Sequence, residues 1–252
     1  SETLSRQAWW ETFNDPVLNE LIGEALAGSF DLDLARARVE EAKYLSGSIA
    51  EPGTLNGTLQ AGREGGNTQT DDNGAELTLG FDWLLDPWCE RKALKRAALG
   101  RIQVADAELN AAQLLLVSSL TNAYLELRFQ QRSLQLRREE LASRRKTLDF
   151  VQQLVDNRVA TRLDVVRAEA LYSETQSMLP RNEAAIRVAE NRIATLVGKA
   201  PGQLGGRLVH AGDGLPLPSA LPAIGAPADL LRQRPDIRIA ERLYYVAVAD
   251  TD

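Results

Sequence analysis

Between about Pro87 and Asn157, apolar residues return every seven positions. Leu127, Leu134, Leu141, Leu148 and Val155 carry one register, and Ile102, Leu109, Leu116 and Ala123 carry another through the first half. A seven-residue repeat keeps an apolar stripe on one slowly rotating face of a helix, and in a coiled coil a second helix buries such a stripe. Past Gly100 no Pro or Gly interrupts the run, and Ala, Leu, Glu, Gln and Arg, all good helix formers, dominate it. About 70 residues at ~1.5 Å each predict a rod of roughly 105 Å. Globular helices average only about 11 or 12 residues, so this element reads as a span.

Upstream, Trp9, Trp10 and Phe13 form an aromatic group, and Asp15-Pro16 supplies an N-cap followed by Pro at the first helical position. A helix from Pro16 to about Ala27 carries Val17, Leu18, Leu21, Ile22, Ala25 and Leu26 on one face, with Gly28 as its stop. A second, from about Asp31 to Leu45, follows with Leu34, Arg38, Ala42 and Leu45 along a sparse apolar line. The period then changes to two. From Thr54 to Arg63, Leu55, Gly57, Leu59 and Ala61 alternate with polar residues, and from Glu76 to Asp86, Leu77, Leu79, Phe81, Trp83 and Leu85 do the same. The stretch between them, Glu64 to Gly74, is turn-forming, so the pair reads as a β-hairpin. Each strand has the ~9–11 residues that a tilted membrane strand needs. A soluble hairpin packed on a helix has the same pattern, although a rod offers little surface to cover two long strands.

The rod ends in Asp156-Asn157-Arg158-Val159-Ala160, and Thr161 with Asp164 three residues on has the form of a capping box. The helix it opens should run to about Val197, stopped by Gly198, Pro201 and Gly202. Leu163, Val166, Ala170, Ala184, Val188 and Leu196 are the positions expected to fold it back along the rod, and Pro180 should kink it. Gly202 to Pro227 reads as an extended connection, followed by helices at Pro227–Arg232 and Pro235–Val248. The fold class is therefore mainly α: a very long antiparallel helical hairpin plus a two-stranded β-hairpin. It divides into residues 1–53, 54–86, 87–198 with a tip at 156–164, and 199–252.

Among the 252 residues, a net charge of −6 argues against a nucleic-acid partner. The cations from Arg128 to Lys146 are interleaved with Glu139 and Glu140 and read as a solvated coiled-coil face. One cysteine, Cys89, and one histidine, His210, exclude a disulfide framework and a Cys/His metal cluster. No catalytic, cofactor or metal constellation is present in the pattern. No run of 18 or more apolar residues exists, so no transmembrane helix is expected, which leaves the β-barrel as a membrane route.

Four phrases carry a family resemblance. They are Trp10-Glu11-Thr12-Phe13-Asn14-Asp15-Pro16-Val17-Leu18, Trp83-Leu84-Leu85-Asp86-Pro87-Trp88, Val159-Ala160-Thr161-Arg162-Leu163-Asp164-Val165 and Ala228-Asp229-Leu230-Leu231-Arg232-Gln233-Arg234-Pro235-Asp236-Ile237-Arg238. With the order of elements, they resemble one half of a TolC-type outer-membrane channel protein of the NodT/OprM-like branch, which serves tripartite efflux pumps. In that family each protomer holds two such repeats, and three protomers close a twelve-stranded barrel above a helical tunnel. The resemblance implies a homo-oligomer, trimeric in the family, in the outer membrane of a Gram-negative bacterium, with its helical part in the periplasm. It implies a periplasmic adaptor and an inner-membrane transporter as partners, and no cofactor. It further implies that Leu77, Leu79, Phe81 and Trp83 face lipid, and that Arg158, Val159, Ala160, Thr161 and Asp164 form the periplasmic tip. Asp156, Arg158, Arg162 and Asp164 would suit a ring of ion pairs around a threefold axis. This chain departs from the pattern in holding one repeat, six strands for three copies, and in placing Arg158 where the family usually has Gly. A periplasmic adaptor and a soluble coiled-coil scaffold are the alternative readings.

Overall fold

Asp15 sets the first helix as its sequence dictates: one carboxylate oxygen accepts from the backbone N–H groups of Val17 (2.9 Å) and Leu18 (3.1 Å), directly ahead of Pro16. The structure, a computed structural model, describes residues 8–47, 53–64, 72–83, 90–209, 215–219 and 234–250. A 3₁₀ turn at Trp9–Phe13 is followed by α1 (Pro16–Gly28), α2 (Phe30–Gly47), β1 (Gly53–Glu64), β2 (Asp72–Trp83), α3 (Glu90–Asp156), α4 (Arg162–Val197), α5 (Gly205–Val209) and α6 (Pro235–Ala249). The chain divides into two units, Ser1–Ala37 with Ala107–Ile237 and Arg38–Asp106 with Arg238–Asp252.

The first unit holds the larger core. Leu18, Leu21 and Ile22 of α1 meet Leu120, Tyr124 and Leu127 of α3, Ile193 and Val197 of α4, Leu204 just ahead of α5 and Leu208 within it. The predicted heptad positions Leu116, Ala123, Leu127 and Leu134 are buried, whereas Leu141, Leu148 and Val155, nearer the tip, are only half-buried. The difference follows from layering, because α1 and α5 add a third layer over the base of the pair. Farther out, α3 and α4 are held by cross-helix contacts such as Asn182 Nδ2 to Ser133 Oγ (3.2 Å), Arg138 to Glu183 (3.2 Å) and the Arg145 guanidinium 5.8 Å above the Tyr172 ring.

The structure corrects the seam assigned to α4. Leu163, Val166, Ala170, Ala184 and Val188 are exposed, Val188 at 67%, and Leu196 is half-buried. The buried line is instead Thr175, Ala189, Ile193, Ala194 and Val197, of which the last four join the core formed with α1 and α3. The sequence offers two apolar edges on α4, and only packing selects between them. The helix continues through Pro180. Gly28 proves to be the last residue of α1 rather than its stop, and the turn lies at Ser29. The connection after Gly202 is not wholly extended, because α5 forms at Gly205–Val209.

In the second unit the hairpin pairs Gly53 with Trp83 through to Glu64 with Asp72. Apolar positions lie opposite apolar ones (Leu55↔Phe81, Gly57↔Leu79, Leu59↔Leu77) and polar opposite polar (Thr54↔Asp82, Thr58↔Thr78, Gln60↔Glu76). The second strand starts earlier than its turn-forming residues suggest. Asp72, Asn73 and Gly74 pair with Glu64, Arg63 and Gly62, because a ladder already in register gives their backbone groups partners regardless of propensity. The strand is described as far as Trp83, and the remainder of the expected strand, 84–86, lies outside the described residues. Ala97 of α3 packs with Val246 and Ala249 of α6. Leu85, Trp88, Cys89, His210 and the helix expected at Pro227–Arg232 lie outside the described residues.

Candidate functional site

The tip is made by backbone hydrogen bonding. The Arg158 N–H donates to the Val155 carbonyl (2.9 Å) and the Val159 N–H to the Leu154 carbonyl (2.8 Å), the two bonds of a Schellman turn. That turn needs one residue in the left-handed region, and Arg158 takes it at φ 62°. Thr161 then returns to extended backbone and caps α4, its N–H (3.0 Å) and hydroxyl (2.6 Å) both donating to Asp164 Oδ2. These two bonds, with Arg167 adding to them, hold the Asp164 carboxyl below its ordinary range. Asp156 accepts from Gln152 Nε2 (3.3 Å). Within one chain, therefore, Asp164 and Asp156 are engaged by Thr161 and Gln152, while Arg158 and Arg162 are exposed beside them. Val159 projects with 73% of its surface free, and Ala160 is half-buried.

The base of the hairpin carries two polar assemblies that sequence patterns alone did not reveal. The Tyr124 hydroxyl, inside the core, donates to the second oxygen of Asp15 (2.7 Å). Burial first, and this bond second, push the Tyr124 hydroxyl well above its ordinary range, so it stays protonated. Glu24 of α1 receives the Lys199 ammonium at the end of α4 and the Arg207 guanidinium of α5 (2.8 Å), and Arg207 also meets Glu20 (2.9 Å). The Lys199 bond, followed by that of Arg207, outweighs burial and lowers the Glu24 pKa. The partners lie more than 100 residues apart in sequence, so no local spacing announces them.

In the second unit, Leu77, Leu79, Phe81 and Trp83 occupy alternate positions of β2. Leu79 is 69% exposed and its neighbour Thr78 is exposed as well. Among the described residues no group of three or more His, Cys, Asp or Glu could hold a metal ion, and no helix is long and apolar enough to cross a membrane.

Residues 21–199 match the sequence model of the outer membrane efflux protein family. The chain belongs to that family. This outer membrane efflux protein is 31% identical over 245 residues to nodulation protein T of Rhizobium leguminosarum bv. viciae, covering 96% of this chain and 51% of that protein. It is 30% identical over 241 residues to the fusaric acid resistance protein FusA of Burkholderia cepacia, covering 91% and 45%. The solved structure of the outer-membrane channel OprN superposes with a TM-score of 0.82 at 32% identity, over 96% of this chain and 56% of that one. The chain spans about half the length of the curated relatives it matches. Its place is the outer membrane, with the helical part in the periplasm.

Proposed function

We propose that the chain is one repeat of a passive export channel, the outer-membrane component of a tripartite efflux system that carries small molecules across periplasm and outer membrane. In this reading β1 and β2 contribute to a lipid-facing barrel, with Leu77, Leu79, Phe81 and Trp83 toward lipid. The α3–α4 pair lines part of a periplasmic tunnel in a homo-oligomer. The tip, Arg158, Val159, Ala160, Thr161 and Asp164, meets a periplasmic adaptor that links the channel to an energised inner-membrane transporter. The chain itself acts by geometry, with no cofactor and no catalysis. Family membership favours this reading over an adaptor or a soluble scaffold.

The observation that carries it is the hairpin: two strands of 12 residues each, apolar opposite apolar, with Leu79 at 69% exposure. A soluble hairpin would cover that residue with a helix. Arg at Leu79 would place a charge in hydrocarbon, costing about 2–4 kcal/mol near the midplane, whereas Arg at Thr78 would point to the lumen. Assembly into outer-membrane fractions should fall for Leu79→Arg and hold for Thr78→Arg. Equal insertion of both variants would refute the barrel role.

A further inference from the structure

α3 opens on Glu90, and from Arg91 to Ala105 it carries Arg91, Lys92, Lys95, Arg96 and Arg101 with no further acidic residue. In the same unit α6 adds Arg238 and Arg242, one helical turn apart. Between the two helices runs an open groove of about 340 Å³, lined by Arg96, Leu99, Gly100, Gln103 on α3 and by Arg242, Tyr245 and Val248 on α6. Its floor is set by close packing. A side chain at Gly100 would begin 2.6 Å from Val246 Cγ2, so glycine there lets α6 settle onto α3. The walls are mostly apolar, with Arg96 and Arg242 as their two cations: Leu99 and Tyr245 are exposed, and the Arg242 guanidinium lies 5.7 Å over the Tyr245 ring. Of the acids nearby, Asp250 is engaged by Arg101 (3.0 Å), and Glu241 is exposed on α6.

Cations beside an apolar wall suit an amphiphile with an anionic head. The position along the chain indicates which one. Glu90, where α3 begins, follows Trp83 of β2 by seven residues. Arg91 to Arg96 then occupy roughly the first 9 Å of helix at ~1.5 Å per residue. A polybasic segment directly beside a membrane-spanning element meets the headgroup layer. We propose that the α3–α6 groove binds the headgroup of an anionic phospholipid in the periplasmic leaflet of the outer membrane, with Arg96 and Arg242 on the phosphate and Leu99, Tyr245 and Val248 along the first part of the lipid. The proposal rests on the barrel reading, which puts this end of α3 at the membrane.

The test is partition of the full chain onto vesicles of phosphatidylcholine alone and of phosphatidylcholine with one-third phosphatidylglycerol, for the wild type, R96Q/R242Q and, as a control on the helical arm, R137Q. Binding that survives an alkaline carbonate wash on phosphatidylcholine reports the hairpin, and the gain on adding phosphatidylglycerol reports the groove. The gain should drop about tenfold in R96Q/R242Q, the scale of losing a charge-assisted phosphate contact. It should persist in R137Q and in excess inorganic phosphate. No gain with phosphatidylglycerol, equal loss in R137Q, or an unchanged R96Q/R242Q would overturn the lipid site. Complete competition by inorganic phosphate would overturn the lipid in favour of a free anion. Loss of carbonate-resistant binding alone, with the gain intact, would instead count against the barrel.

Discussion

Gly198 and Gly28 touch where α4 ends on α1, but only one of them has to be glycine. Gly198 sits at φ 75°, its N–H bonding the Thr195 carbonyl while the Lys199 N–H bonds that of Ala194, the same Schellman turn found at the tip. A Cβ there would lie 2.5 Å from the Gly28 carbonyl oxygen, a backbone atom that cannot swing aside. Gly28 has an ordinary φ, and a Cβ on it would rest 3.7 Å from the Val197 oxygen, a normal contact. Gly198→Ala therefore incurs about 1–2 kcal/mol for a left-handed L-residue and about 1–3 kcal/mol more for forcing the elements apart. Together this is roughly 2–5 kcal/mol lost from the base of the hairpin. Gly28→Ala should stay within about 0.5 kcal/mol of the wild type. Amide hydrogen exchange across Ala189–Leu208 in the detergent-solubilised chain measures both. If Gly198→Ala matched the wild type, or if the two variants lost the same amount, the steric argument would be wrong.

At the tip the same turn is occupied by Arg158 at φ 62°, so Arg158→Gly should raise stability by about 0.5–1 kcal/mol, the left-handed penalty less the added freedom of the unfolded chain; an unchanged or lower thermal midpoint would contradict this. Tyr124→Phe removes a buried donor from the Asp15 carboxylate and should cost about 1.5–3 kcal/mol, read as a lower midpoint in urea with an unchanged slope. Glu24 has a folded pKa below its ordinary value near 4.5. Its pairing is thus fully present above that value and is lost as pH falls through the folded pKa. The wild type should lose more stability than Glu24→Gln between about pH 6 and about pH 3, and parallel curves would show that Glu24 contributes nothing to the acid response.

The primary sequence was sufficient for every element with a strong period or a stop residue. The seven-residue repeat gave α3, the Asp15-Pro16 cap gave the start of α1, Thr161 and Asp164 gave the start of α4, Gly198 gave its end, and alternation gave the hairpin. These signals are local, because caps and glycine turns act within one helical turn and strand alternation within a single strand. Local chemistry also misled, in reading Asp72 to Gly74 as loop, since a ladder's register overrides turn propensity at its end. Tertiary structure alone decided which apolar edge of α4 faces inward. Ala189, Ile193 and Val197 lie on the face that meets Leu18 and Leu21 of α1 and Leu120 and Leu127 of α3, and Val188, one residue away from the buried line, was left outside. It also brought Glu24 to Lys199 and Arg207, and Asp15 to Tyr124. A charge carries no periodicity of its own, so its partner is defined only once the chain has folded.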